Sequence, residues 1–347
     1  MNRGMYNANN GVIGNIWRQK VSPSAKQDPH PISQLDEDVY NLFSAWNFDL
    51  PDNADDINNF IINLKCELGI QQLRDVFDCF YITAAATQSQ SLTNWAQPGT
   101  YDLTIGNTTG LTFTPLKGWR TPAFTSAGFI NTNFRPWTTI CNFNSNAELW
   151  SAGNTQSLYD YGGSMGFYVT NKPAADIVNF TYDLGSTFGT GVNDFGITIA
   201  LTQQSYLIRL AIYNNLNSQI SSLNSPLYAG INTAAVSLYE SYPFYSVVKS
   251  SYNDIGFFIN GDFKVKLNSQ ANSTTSTTNL GSASCPGPII FPGRNTSTTG
   301  LTTKGSNSGN VRQYGFVFFG SRDIDQTILY NNLNAYLTSI DAAMVNS

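Results

Sequence analysis

The chain has 347 residues, of which 41% are hydrophobic and 13% aromatic, with a formal net charge of -5. That load of Phe, Tyr and Trp needs a core, which excludes a disordered polypeptide. The weak acidic balance and the scattered Lys and Arg leave no electrostatic footprint for nucleic acid.

Charged residues make up only 12% of the chain, so Asn, Ser, Thr, Gln and Gly carry its solubility. Such a surface suits an extracellular, wall or virion protein that meets partners without much charge. The first twenty residues show no apolar run of signal-peptide length, and no stretch approaches a membrane span, so no membrane insertion is expected.

Residues 1–50 carry Pro23, Pro29 and Pro31 and hold no steady hydrophobic period. They read as an extended assembly arm with Ile16, Trp17 and Trp46 as apolar anchors against another chain. A helical unit is expected over 51–93. Asp52 or Asn53 caps it and Asp55 and Asp56 sit in its first turn. Ile57, Phe60, Ile61, Leu64 and Leu68 form its stripe, and Gly69 stops it. Leu73, Val76, Phe77 and Phe80 repeat the helical spacing, and "AAATQSQSLTNW" adds a short third turn. About forty residues cannot own a core, so this unit must pack on the strands C-terminal to it.

From residue 94 the rhythm changes. Pro98-Gly99 breaks the helical pattern, and Tyr101, Leu103 and Ile105 alternate as a first strand. Trp95 reads as a plug between helices and sheet. Short runs rich in Val, Ile, Phe and Tyr come next, bounded by Gly, Pro or Asn. In "FFINGDFKVKLN", Asn260-Gly261 is the preferred two-residue hairpin turn. Many short strands at this spacing predict a mainly β, two-sheet sandwich over 94–347. The polar tracts "SQANSTTSTTNLGSAS" and "RNTSTTGLTTKGSNSGN" read as surface loops. The last element is a helix capped by Ser321 or Asp323. Ile324, Ile328, Leu329, Leu333, Tyr336, Leu337 and Ile340 form an apolar stripe that packs near the first helices or on a sheet face.

Catalytic chemistry finds little here. The one histidine, His30, lies in the proline-bearing arm, which argues against a nucleophilic relay. Asp176, Asp183, Asp194, Asp254, Asp262, Glu148 and Glu240 are too dispersed for the facing carboxylates of a glycosidase, and Asp323 and Asp325 are helix-start acids. Cys66, Cys79, Cys141 and Cys285 offer no zinc spacing. They read as plain thiols, with a Cys66–Cys79 pair as the alternative. "YDYGGS" and "NDFG" are too sparse in acids for a calcium site. No catalytic residue, metal or cofactor is expected. Trp119, Trp137, Trp150 and Tyr159 are the candidate glycan platform, each weighed against ordinary core packing.

The stretch "FYITAAATQSQSLTNWAQPGTYDLTIGNTTGLTFTPLKGWRT" is similar to one in bacteriophage virion and prophage proteins with a concanavalin A-like (laminin-G-like) jelly roll. The resemblance continues in "AGFINTNFRPWT", "GFFINGDF", "PIIFPGRN" and "GFVFFGSRDIDQTILYNNLNAYL", and spans Asp56 to Ile340. It implies a concanavalin A-like jelly roll with a small N-terminal helical unit, an extended arm and a C-terminal helix. It also implies a structural component of a phage particle, whether head decoration, fibre or tail appendage. The expected partners are other virion proteins and copies of itself. The alternative is an adhesin that binds host-surface glycan.

Overall fold

The computed structural model describes residues 35–120, 128–136, 141–143, 163–171, 183–188, 195–201, 208–215, 219–220, 242–251, 254–268, 288–293, 295 and 312–342. The anchors Ile16 and Trp17, and the arm before residue 35, lie outside these residues. So do both long polar tracts, apart from Asn295.

The arm expected through residue 50 ends earlier. Glu37–Ala45 is a helix, α1. The Asp36 carboxylate caps it by accepting the Asp38 N–H at 3.0 Å, and Glu37 and Asp38 complement the helix dipole. Val39, Leu42 and Phe43 are buried. Ala54–Leu68 forms α2, closed by Gly69 in the left-handed region at φ 68°. Asn53 makes no side-chain cap. Its amide donates instead to the Tyr336 hydroxyl at 3.2 Å, in the last helix.

The second helical run does not form. Leu73–Asp75 is one 3-10 turn, and Phe77–Ile82 is a strand, β1, with every residue buried. Its apolar side chains fill both faces, as in a central strand, and a short run of that kind also matches a helical period. The "helical unit" of 51–93 is therefore α2 followed by a strand of the main sheet. A second 3-10 turn at Gln90–Leu92 matches the short third turn expected there.

The remaining strands complete two antiparallel sheets. The first contains β3 (Thr112–Thr114), β4 (Gly118–Arg120), β6 (Gly163–Asn171), β11 (Phe244–Ser251), β12 (Asp254–Ile259), β13 (Asp262–Asn268) and β15 (Gln313–Gly320). Its order is β13-β12-β11-β6-β15-β4-β3. β1 and β4 share one edge of β15, with β4 pairing Gln313 and Tyr314 and β1 pairing Phe316 to Gly320. The second sheet contains β2 (Thr104–Asn107), β5 (Phe129–Asn131), β7 (Leu184–Phe188), β8 (Phe195–Leu201), β9 (Ile208–Asn215), β10 (Gln219–Ile220) and β14 (Ile290–Phe291). Its order is β10-β9-β8-β7-β14-β5-β2. The first predicted strand is shorter than its alternation suggests, because Tyr101 sits at φ 56° and pairing begins at Thr104.

The sheets pack face to face. Tyr81, Trp119, Phe167, Val247, Val317 and Phe319 from the first meet Ile130, Leu184 and Phe291 from the second in one buried cluster. The fold is mainly β, as the strand spacing predicts. An ion pair crosses between the layers. Arg312, beside β15, donates to the Asp183 carboxylate at the start of β7, and the Tyr314 hydroxyl donates to the same oxygen at 2.8 Å. Burial and the Asp183 charge push the Tyr314 hydroxyl well above its ordinary pKa, so it remains a donor.

The first sheet is also covered on its other face. Gln326–Ser339 forms α3, capped by Asp325, whose carboxylate accepts the N–H groups of Thr327 at 2.9 Å and Ile328 at 3.0 Å. Ser321 and Asp323 instead shape the preceding turn, where the Ser321 hydroxyl accepts the Asp323 N–H at 3.1 Å. The α3 stripe packs on both α2 and the sheet. Tyr336 stacks on Phe60 at 4.7 Å, Tyr330 meets Phe244 at 5.8 Å, and the Tyr168 hydroxyl donates to Asn334 at 2.8 Å. Asn260 and Gly261 turn the β12–β13 hairpin with φ 51° and 78°, as their dipeptide predicts.

Candidate functional site

Asn94 organises the loop after the second 3-10 turn. It is fully buried beside the edge of β1 opposite β15. Its side-chain oxygen accepts the Phe80 N–H at 2.9 Å and the Ala96 N–H at 3.2 Å. Its amide group donates to the carbonyls of Asp78 and Thr100, both at 2.9 Å. The carboxamide thus takes the place of a neighbouring strand on the edge of β1 that pairs with no other described strand, and it fixes the course of residues 94–100. Asp102 holds the same loop by accepting the N–H groups of Asn94 at 2.8 Å and Gly99 at 3.1 Å. Burial raises the Asp102 pKa, and those two N–H groups pull it back in part.

This loop forms one wall of an open groove of about 430 Å3. The opposite wall is the outer side of α1, which presents Asn41 and Ser44, with Asp38 at one end. The Leu73–Asp75 turn closes the groove with Gln72 and Arg74. Gln97 and Thr100 stand on the loop, above a small apolar floor of Ala45, Ala96 and Pro98. The Arg74 Nε donates to the Gln72 side chain at 2.6 Å, and Asn142 donates to the Arg74 carbonyl at 2.7 Å.

The α1 wall is clamped by charge. Lys65 on α2 sits 2.8 Å from the Asp36 carboxylate and 2.9 Å from that of Asp38. Asp38 also accepts the Leu73 N–H at 3.0 Å, which ties the helix to the turn. Burial raises the Asp38 pKa against the pull of Lys65 and Leu73. Burial alone would lower the Lys65 ammonium, but the two carboxylates outweigh it and hold it above its ordinary value.

The two described tryptophans among those chosen from sequence, Trp46 and Trp119, do not line this groove. Trp46 is no free anchor. Its ring is buried in its own chain, its Nε1 donates to the Thr93 hydroxyl at 2.9 Å, and it packs edge-on to Trp95 at 6.0 Å. Trp119 is no sugar platform. It lies in the sandwich core, and its Nε1 donates to Ser91 at 3.0 Å. Both indoles pack internally because bulky amphipathic rings find more contact there, with one hydroxyl each to satisfy the N–H. Trp95 is the expected plug, packed against Phe60 at 6.5 Å and Tyr336 at 6.2 Å. Trp137, Trp150 and Tyr159 lie outside the described residues, as do His30, Cys285, Asp176, Asp194, Glu148 and Glu240.

Of the dispersed acids, Asp183 is spent on the inter-sheet ion pair, and Asp262 stands exposed beside the hairpin turn. Cys66, Cys79 and Cys141 form no disulfide among the described residues, and Cys79 lies on β1 rather than on a helix facing Cys66. The Asp78 carboxylate accepts the N–H groups of Asn142 at 2.9 Å and Phe143 at 2.7 Å. Its pKa is nonetheless raised to about 6, chiefly by burial.

The groove escaped sequence reasoning because its walls come from three separated segments. The one local signal was the Pro98-Gly99 break.

No family model matches the chain, and no curated protein matches it. Solved structures do. The receptor binding domain of botulinum neurotoxin D aligns at 13% identity and TM-score 0.41, over 76% of this chain and 54% of that one. A structure titled "Cell entry of botulinum neurotoxin type C is dependent upon interaction with two ganglioside molecules" aligns at 15% identity and TM-score 0.41, over 75% and 52%. The binding domain of Paraclostridial Mosquitocidal Protein 1 aligns at 14% identity and TM-score 0.34, over 76% and 53%. The chain thus spans about half the length of each. Identity and superposition are both too low for the likeness to carry function.

Proposed function

We propose that this chain is a recognition module of a bacteriophage particle that acts by binding, and that its ligand is host-surface glycan. The observation that supports it is the state of the acids. Asp36 and Asp38 are held by Lys65, Asp78 and Asp102 by backbone N–H groups, and Asp183 by Arg312 and Tyr314. These carboxylates hold the fold together, while the groove offers amides and hydroxyls. Those groups pair with the hydroxyls of a sugar. A glycan array probed with the purified chain tests the reading. Reproducible binding to a defined set of glycans is the expected result, and a blank array with folded protein overturns it.

A second reading, a structural virion component assembled through copies of itself or neighbouring proteins, draws on a different feature. Tyr40, Phe48, Leu50 and Ile62 are exposed, and Tyr40 meets Phe48 edge-on at 5.7 Å. Exposed apolar side chains of this kind suit a protein contact. Sedimentation tests it, and a monomer at all accessible concentrations removes self-assembly.

A further inference from the structure

We propose that the groove between α1, the Leu73–Asp75 turn and the 94–100 loop is the saccharide-binding site of this chain, and that it takes a neutral oligosaccharide. The inference rests on the recognition reading and gives it a location and a ligand class.

Four observations carry it. The first is size, since about 430 Å3 lies in the range of clefts that hold small molecules. The second is uncommitted polarity. The side chains of Asn41, Ser44, Gln97 and Thr100 line the groove and make no hydrogen bond with any other described residue. Carboxamides and hydroxyls both donate and accept, which is what a ring of sugar hydroxyls requires.

The third is rigidity beneath those side chains. Asn94 fixes the loop from its buried side, and Lys65 clamps α1 through Asp36 and Asp38. A ligand therefore meets groups whose backbone is already ordered, which lowers the entropy cost of binding. The fourth is charge balance. Of the two ionisable side chains in the groove, Asp38 is paired with Lys65, which it shares with Asp36. Arg74 has its Nε tied to Gln72, which leaves its terminal nitrogens to fork onto adjacent hydroxyls. One guanidinium beside a paired acid gives a site without a strong field, suited to an uncharged sugar. The floor of Ala45, Ala96 and Pro98 suits the C–H face of a ring.

The test is isothermal titration of the full chain with maltotriose, cellotriose and triacetylchitotriose, with trigalacturonate as the acidic arm, alongside the glycan array. Two variants accompany the wild type. The first, Asn41→Ala/Gln97→Ala, removes two uncommitted amides, one exposed and one half-buried. The second, Ser44→Trp, fills the groove from the solvent side of α1 without deleting a bond. Neutral glycan binding that falls about tenfold or more in either folded variant is the expected result. Equal binding by wild type and both variants overturns the groove while leaving glycan recognition standing. Binding of acidic glycans alone overturns the ligand class. A blank array together with four silent titrations overturns the recognition reading itself.

Discussion

The side-chain oxygen of Asn94 accepts the backbone N–H of Phe80 at 2.9 Å, so a carboxamide, with the Trp95 N–H that donates to the Phe80 carbonyl at 2.8 Å, caps the edge of a buried strand. Asn94→Ala would strand the Phe80 N–H and the Asp78 carbonyl away from water. Leaving buried groups unpaired costs roughly 1–3 kcal/mol each. We expect a loss of about 2–4 kcal/mol in urea denaturation. Asn94→Asp restores the acceptor but not the donor, and should remain destabilised.

The stack of Phe60 on Tyr336 joins α2 to α3. Tyr336 also receives the Asn53 amide, and burial pushes its hydroxyl pKa far up. Truncating either ring to Ala should cost about 3–5 kcal/mol. A double-mutant cycle should show a coupling of about 0.5–1.5 kcal/mol between them. A coupling near zero would mean that the two helices pack independently of this contact.

Asp78 makes stability depend on pH. Its carboxyl is raised from 3.8 to about 6 by burial, against the pull of the Phe143 and Asn142 N–H groups. The folded protein therefore keeps a proton that the unfolded chain releases. The contribution of this group is fully present below pH 4 and is lost as pH rises through 6. The loss is on the order of 3 kcal/mol. Unfolding measured from pH 4 to pH 7 should show this downward slope in the wild type and a shallower one in Asp78→Asn. Parallel slopes would exclude Asp78 as the source.

Lys65→Met keeps the length of the side chain and removes its charge. Asp38, buried, would lose its cation and Asp36 its partner. Breaking a buried pair from one side typically costs about 3–5 kcal/mol. Amide exchange in α1 should accelerate more than exchange in β6 or β15. Uniform acceleration would show that α1 is not locally dependent on the clamp.

Much of this architecture is readable in the sequence where one physical signal dominates. The α2 stripe, the Gly69 stop, the Asn260-Gly261 hairpin and the α3 stripe all form as their patterns predict. β1 is not readable, because a strand buried on both faces carries no alternation. β15 forms as a strand but without a clean alternation of its inward side chains. A register shift between Tyr314 and Phe316 reverses its parity, so Tyr314 and then Val317 and Phe319 all point into the sandwich. α1 is short and comes after a proline-rich stretch, and its apolar face holds only Val39, Leu42 and Phe43. Trp119 could not be told from a surface ring, since a ring that needs one hydrogen bond suits either place. The groove was beyond reach because pattern reading works along one segment at a time.

β15 carries one consequence for biosynthesis. It lies between β6 on one side and β1 with β4 on the other. It also brings Arg312 to Asp183. Until Gln313–Gly320 has left the ribosome, the main sheet is left in three pieces, β13-β12-β11-β6, β4-β3 and β1 alone, each with open edges. Those edges are templates for pairing with other chains. The early strands must wait for a segment far downstream in the chain to be translated, so a ribosome that stalls before Gln313 releases a chain prone to aggregate.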